Sequence, residues 1–205
     1  MGSLTVCCPK ATYIANAVTT LYPCKHEFGQ IKKMIFWRRG NTIASVATAI
    51  MSTTWTTLLT ATDDTKAVVT PFLSGKITPG EPRETGGGNE SVDGIPDLVN
   101  GSAPSVAEFT VRQWDQDVIT FIKGWGCEAL DVIFINENGQ FGYSDAGATA
   151  FEGFPMDGFS IGDLEMGDFD GADTNKLKFY LRSNWSDTFE ISAATAFALT
   201  LVNTA

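Results

Sequence analysis

Four thiols and one imidazole, Cys7, Cys8, Cys24, Cys127 and His26, are the side chains of this sequence suited to soft-metal or nucleophilic chemistry. All but Cys127 fall near the start, and zinc is the metal that combines thiolate with imidazole in tetrahedral sites. Such sites use two ligand pairs with short fixed spacers. Cys7-Cys8-Pro9 followed by Cys24-Lys25-His26 fits none of those patterns. Adjacent cysteines also lack the spread of a disulfide framework. The expectation is free thiols in a chain made in a reducing cytosol, with no metal and no cofactor.

Hard-cation and acid–base chemistry would draw on the carboxylates of "DLEMGDFDGADTNK", where Asp163, Glu165, Asp168, Asp170 and Asp173 crowd together. A calcium loop begun at Asp168 would put Gly171 at its fourth position instead of its sixth, and Phe179 where the bidentate glutamate belongs. A solvated Asp/Gly turn is the expectation. "ETGGGNES" lacks the Lys-Ser/Thr pair of a phosphate loop, and no nucleophile elbow, zinc-protease pair or C-x-x-C redox pair occurs. His26 has no partner nucleophile legible in the sequence. No catalytic, cofactor-binding or metal-binding residue is assigned, and the chain is expected not to be an enzyme.

Charge carries more information than chemistry. The first 40 residues hold six basic side chains and one acid, a net of +5, whereas the remainder nets -15 within a total of -10. The basic residues gather in "CKHEFGQIKKMIFWRRGN", around Phe28, Ile31, Ile35, Phe36 and Trp37. Nucleic acid could be held by such a segment, but the acidic bulk would repel a polyanion. A membrane surface calls for an amphipathic helix, and "IKKMIFWRR" lacks a helical period. The remaining uses are a strand with one solvated face, or a positive face docked on a neighbour's negative one. Lys32, Lys33, Arg38 and Arg39 are therefore the candidate subunit-interface residues. A glycan-binding module is the rival, with Trp37, Trp55 or Trp185 as stacking platforms, set against the expectation that all five tryptophans pack the core.

The elements that must position these residues are mostly strands. The pattern predicts a single β-rich domain over 1–205, with a basic N-terminal segment 1–41 and a Gly/Pro-rich arm over 75–105. Four prolines and seven glycines fill that arm without sustained periodicity, and a loop this long is usually functional. Apolar residues at Val111, Trp114, Val118, Phe121, Ile122 and Trp125 predict one flanking α-helix over about 111–124. A short helix is expected near 53–61, the part before it as strand. "TKAVVTPFL" reads as a strand ending near Pro71. "LDVIFINENGQFGYSD" reads as a hairpin whose Asn138-Gly139 turn wants positive φ at both central positions. "NKLKFYLRS" alternates cleanly, and "DTFEIS" and "AFALTLV" read as further strands. The fold class is mainly β: an antiparallel β-sandwich or barrel. No apolar run approaches the ~20 residues of a membrane span, and "MGSLTVCCPK" has neither a secretory apolar core nor the myristoylation pattern.

"TTWTTLLTATDDTKAVVTPFL", "ITPGEPRETGGGNESVDGI", "ALDVIFINENGQFGYSD" and "RSNWSDTFEI" together resemble virion structural proteins of tailed bacteriophages, the tail-tube proteins in particular. The resemblance spans about residues 53–192 and leaves out the basic start. It implies a subunit that forms homo-oligomeric rings stacked into a tube, made in the host cytoplasm and housed in the virion. It also implies an arm bridging to a neighbouring subunit, contacts with other virion proteins, and a genome that passes without sequence-specific binding. No membrane partner is implied. A head fibre, neck or capsid decoration protein would share the same phrasing.

Overall fold

The strand pair at the centre of the molecule is buried on both faces. In the computed structural model, which describes residues 28–84, 99–112, 116–145, 150–167 and 173–203, β1 (Ile31–Arg38) runs antiparallel to β8 (Leu130–Asn136) from Arg38↔Leu130 to Ile31↔Asn136. Met34 and Phe36 of β1 and Val132 and Phe134 of β8 point into one apolar cluster. Ile35, Trp37, Ile133 and Ile135 point into a second. Double burial explains why Met34–Trp37 and Val132–Ile135 read as unbroken apolar runs rather than as alternation.

Between these strands and around them lie β2 (Thr42–Ile43), α1 (Val46–Ala49), α2 (Ser52–Thr60), β3 (Val68–Val69), β4 (Leu73–Thr78), β5 (Pro82–Glu84), β6 (Val99–Ser102), β7 (Ser105–Arg112) and α3 (Gln116–Lys123). After β8 come β9 (Phe141–Ser144), β10 (Phe151–Glu152), β11 (Phe154–Ile161), β12 (Thr174–Leu181) and β13 (Phe189–Ile191). Eleven strands form one antiparallel sheet with the path β2-β10-β9-β8-β11-β12-β7-β4, and β1, β3 and β13 join from the side. β4 comes back alongside β1. The six strands β1, β8, β11, β12, β7 and β4 thus wall a barrel around the first cluster, and α3 stops one pole with Ile119 and Ile122. The second cluster sits outside that wall, beneath α2, β9, β10 and the C-terminal segment.

α2 forms although five of its nine residues are threonine. Three hydroxyls bond back one turn, Thr56 to Ser52 O, Thr57 to Thr53 O and Thr60 to Thr56 O, which satisfies them without helping the helix. Packing holds it instead. Trp55 is fully buried, stacked on Phe141, and its indole N–H donates to Ala49 O at 2.8 Å.

The mainly antiparallel β fold and the helix near 53–61 agree with the sequence, and several boundaries do not. The flanking helix begins at Gln116 and not near Val111, because "SVAEFTVR" buries Ser105, Ala107, Phe109 and Val111 on one face as β7. Within the expected irregular arm, β4 and β5 are strands on one side, and β6 and the start of β7 on the other, while 85–98 lies outside the described residues. Only Val68–Val69 of "TKAVVTPFL" is strand ahead of Pro71, which has no N–H to continue the ladder. The stretch before α2 holds β2 and α1, the latter capped by Ser45 Oγ accepting from Thr48 N. "AFALTLV" is a short 3-10 turn, closed by Thr200 N to Phe197 O at 2.9 Å. In the β8–β9 hairpin only Gly139 has positive φ (+72°), and Gly139 N returns to Asn136 O, so the turn is a three-residue loop closed by a left-handed glycine.

Candidate functional site

The four basic candidates separate into different environments. Arg38 is half-exposed and reaches Asp64 at 2.5 Å and Glu128 at 3.4 Å, both solvated pairs. Arg39 is drawn inward. Its Nε meets Asp131 Oδ1 at 3.3 Å, and its Nη2 donates to Met156 O at 2.6 Å and to Asp157 Oδ1 at 3.1 Å. Arg182 grips the other oxygen of Asp157 at 3.2 Å. Asp131 is only 7% exposed and also accepts from Gly40 N, so this network ties the β1–β2 turn to β8 and β11. Burial pushes the Asp131 carboxyl up, with the Gly40 N–H and Arg39 pulling it partly back. Burial also acts on Asp157, but the hydrogen bonds from Arg39 and Arg182 outweigh it and hold that carboxyl below its usual range.

Lys33 is 4% exposed, donates to Leu201 O at 2.6 Å and lies 4.9 Å from the centre of the Phe72 ring. Burial lowers its pKa. Lys32 is half-buried at a β-bulge, where Ile31 and Lys33 oppose the adjacent residues Asn136 and Ile135. The structure therefore turns Lys33 and Arg39 towards the chain's own carbonyls and carboxylates, and leaves Arg38 as the most outward of the set. The sequence showed the cluster but not its partners, because Asp131 lies 92 positions from Arg39.

The bulge has a second effect. It re-aims Ile31 to the face of Met34 and Phe36, so Ile31 lines the barrel's open pole rather than the outer cluster. There, opposite α3, a cleft of about 420 Å³ lies between the start of β1 and the end of β4. Phe28, Ile31, Ile77, Phe134, Trp185 and Phe189 give it apolar walls, and Ser102, Ser105, Asn184 and Asp187 a polar rim. Trp185 is held edge-on by Phe154 at 5.1 Å and by Phe189 at 5.8 Å, and its N–H donates to Ser105 Oγ at 3.1 Å. A single charged group on an aromatic floor offers shape and apolar area, not acid–base work.

The backbone beside this cleft is open. β4 bonds to β7 along its whole length, and no described strand pairs with its other edge. The contrast with β3 is direct: Asn203 donates to Val69 O at 2.8 Å and accepts from Val69 N at 2.9 Å, closing that edge with a side-chain amide. Pattern reading could not find this cleft, which depends on a bulge and on three chain segments meeting.

Of the tryptophan platforms, Trp37 and Trp55 are sealed in the outer cluster, and Trp185 alone borders open space. Trp125 packs against Phe36 and Phe159, while Trp114 lies outside the described residues. Cys7, Cys8, Cys24 and His26 also lie outside them, and Cys127 is an exposed free thiol. In the acidic stretch, Asp163 pairs with Lys123, Glu165 with Lys176, and Asp173 accepts from Gly167 N. Among the described residues no cluster of three metal-type ligands occurs, and no helix is long and apolar enough to cross a membrane. No known protein family matches the chain, and no curated protein matches it.

Proposed function

We propose that this chain is a non-enzymatic structural subunit of a tailed-phage virion, of tail-tube type, which assembles with copies of itself into stacked rings. The observation that carries the reading is the arm. The β4–β7 hairpin does not end at the barrel wall but continues as β5 against β6, from Pro82↔Ser102 to Glu84↔Val99. Its base is fixed: Ser183 Oγ donates to Ser102 O at 2.6 Å and Ala103 N to Glu81 O at 2.9 Å. A two-stranded ribbon is marginal by itself in water, so an extension of this kind gains stability by lying on something else. A neighbouring subunit is that surface. The segregation of charge, +5 against -15, suits head-to-tail contacts that can close a ring or stack without limit.

Negative-stain microscopy and sedimentation across a salt series test the reading. Rings or short tubes that loosen with salt are expected; a chain that stays monomeric at high concentration in every buffer refutes it. The rival glycan-binding module now rests on Trp185 alone, and binding of an oligosaccharide array by a stable monomer would establish it instead.

A further inference from the structure

We propose that the outer face of β4, β7 and β12 docks on the acidic flank that β9, β10 and β13 form in a second copy of this chain. The inference rests on the self-assembly reading and moves its contact away from Lys32, Lys33, Arg38 and Arg39.

Eight lysines and arginines follow residue 40. Five of them share one outer face: Lys76 on β4, Arg112 on β7, Lys176 and Lys178 on β12, and Arg182 just beyond it. Alternation puts them there, because Leu73, Phe109, Val111, Leu177 and Phe179 take the inward positions. The three strands are neighbours, and Lys76, Glu108 and Lys178 stand in one cross-strand row.

The opposite charge is segregated just as sharply. From Gly124 to Asn175 the sequence runs through eleven acids without a lysine or arginine, and Ser183 to Ala205 adds two acids and no base. β8, β9, β10 and β13 all come from these stretches. Four of the acids gather about Ser144 of β9. Glu152 stands opposite it on β10, and Asp145 follows it, its N–H bonded to Thr188 O at 2.8 Å. Asp187 and Glu190 lie on either side of Phe189, which opposes Ser144 on β13. Burial, with Glu190 and Asp145 adding negative charge, pushes the nearby Tyr143 hydroxyl up.

The two surfaces point away from each other. Around the barrel wall, β12 and β11 separate β7 from β8 one way, and β4 and β1 the other. β9 pairs with β8 and carries β10 and β13. Complementary faces on opposed sides cannot meet within one chain. Between chains they make a heterologous contact that repeats, closing a ring or running on.

A polyanion fits the basic wall less well than this flank does. Glu108 holds Lys178 at 3.0 Å, Glu165 holds Lys176 at 2.8 Å and Asp157 holds Arg182 at 3.2 Å, so a phosphate backbone would meet interleaved carboxylates. Carboxylates set apart along a protein surface can reach the cations between them. Lys76 and Arg112, with no carboxylate partner among the described residues, are the foremost of these.

Two double variants of the full chain provide the test: Lys76→Glu with Arg112→Glu, and Glu152→Lys with Asp187→Lys. Each alone sets like charge on like, and should raise the concentration needed for assembly about tenfold in low-salt sedimentation. In an equal mixture a reversed wall meets a reversed flank, and a native wall a native flank. Co-assembly should then return towards the parent concentration, with both chains in equal amount in the pellet. Urea midpoints of the monomers check each fold. A pair that shifts the midpoint is replaced by its neutral form, Lys76→Gln with Arg112→Gln or Glu152→Gln with Asp187→Asn, which should weaken assembly and flatten its salt dependence. Assembly of both pairs at the parent concentration overturns the inference and leaves the self-assembly reading standing, as does a mixture no better than either variant alone. Binding of a DNA duplex that only the wall pair abolishes, with assembly unchanged, assigns the wall to a polyanion and also overturns it. A parent chain that never assembles removes both readings.

Discussion

Replacing Arg39 by methionine separates a fold-holding arginine from an interface arginine. The substitution keeps much of the aliphatic stem but deletes the 3.3 Å pair with Asp131, the 3.1 Å pair with Asp157 and the 2.6 Å bond to Met156 O. Asp131, 7% exposed, is left with Gly40 N as its remaining partner in this network. Stripping one member from a buried ion pair costs about 3–5 kcal/mol. Arg39 is itself 30% exposed, so water can partly replace it, and about 2–3 kcal/mol is the expected loss. Asp131→Asn should cost about 1–2 kcal/mol, because Arg39 keeps Asp157 and the Met156 carbonyl. The double variant should lose less than the sum of the two by about 1 kcal/mol or more.

The pH dependence has a definite sign. Burial already holds Asp131 above its usual range, and removing Arg39 raises it further. The folded variant then binds a proton that the unfolded chain releases, so its stability falls as pH rises through the window above the ordinary aspartate value. The deficit relative to the parent should be small near pH 4 and largest near neutrality. Urea unfolding read by tryptophan fluorescence, at a dilution where the chain is monomeric, measures all three variants. A deficit below about 0.5 kcal/mol at neutral pH, or strict additivity in the double variant, would refute the network as described. Loss of assembly with unchanged monomer stability would make Arg39 an interface residue after all.

Lys33→Met should be neutral or stabilising by about 1 kcal/mol in the same assay, since a buried ammonium with one carbonyl partner is replaced by an apolar side chain of similar length. The parent should also gain stability as pH rises towards 10.5, because burial lowers Lys33 in the folded state, and the variant should lack that rise. Gly139→Ala places a side chain at φ +72° against the Thr195 carbonyl and should cost about 1–3 kcal/mol by urea midpoint. Asn203→Ala uncaps β3 and should lower stability by about 1–2 kcal/mol, with faster exchange of the Val69 amide as its local signature.

Local pattern carried the fold where one physical cause acted alone. The alternation of Leu177, Phe179 and Leu181 against Lys176, Lys178 and Tyr180 is a wall strand with one wet face, and it folds as read. "SVAEFTVRQWDQDVITFIKGW" misled because two periods overlap at Val111, which serves the alternation of β7 and also starts a helical stripe. The tight turn at Asn138-Gly139 was legible as a turn. Its type was not, since Asn136 uses its side chain to organise the loop, accepting from Asn138 N and Gln140 N. The candidate interface showed the same limit. Four cations close in sequence were visible, but whether each meets solvent or a buried carboxylate depends on strands far along the chain. The cleft had no signature at all, because nothing in "IKKM" announces a bulge.

The shared wall between the two aromatic clusters has a bearing on how the molecule comes apart. Every second residue of β1 and β8 belongs to one cluster and its neighbour to the other, so neither side can loosen while the other keeps its grip. Two oil drops divided by a common partition melt together, so the two clusters should be lost in one denaturation step, with coincident transitions by different probes. A particle assembled from such pieces would present each neighbour with a body that either holds its whole shape or none of it.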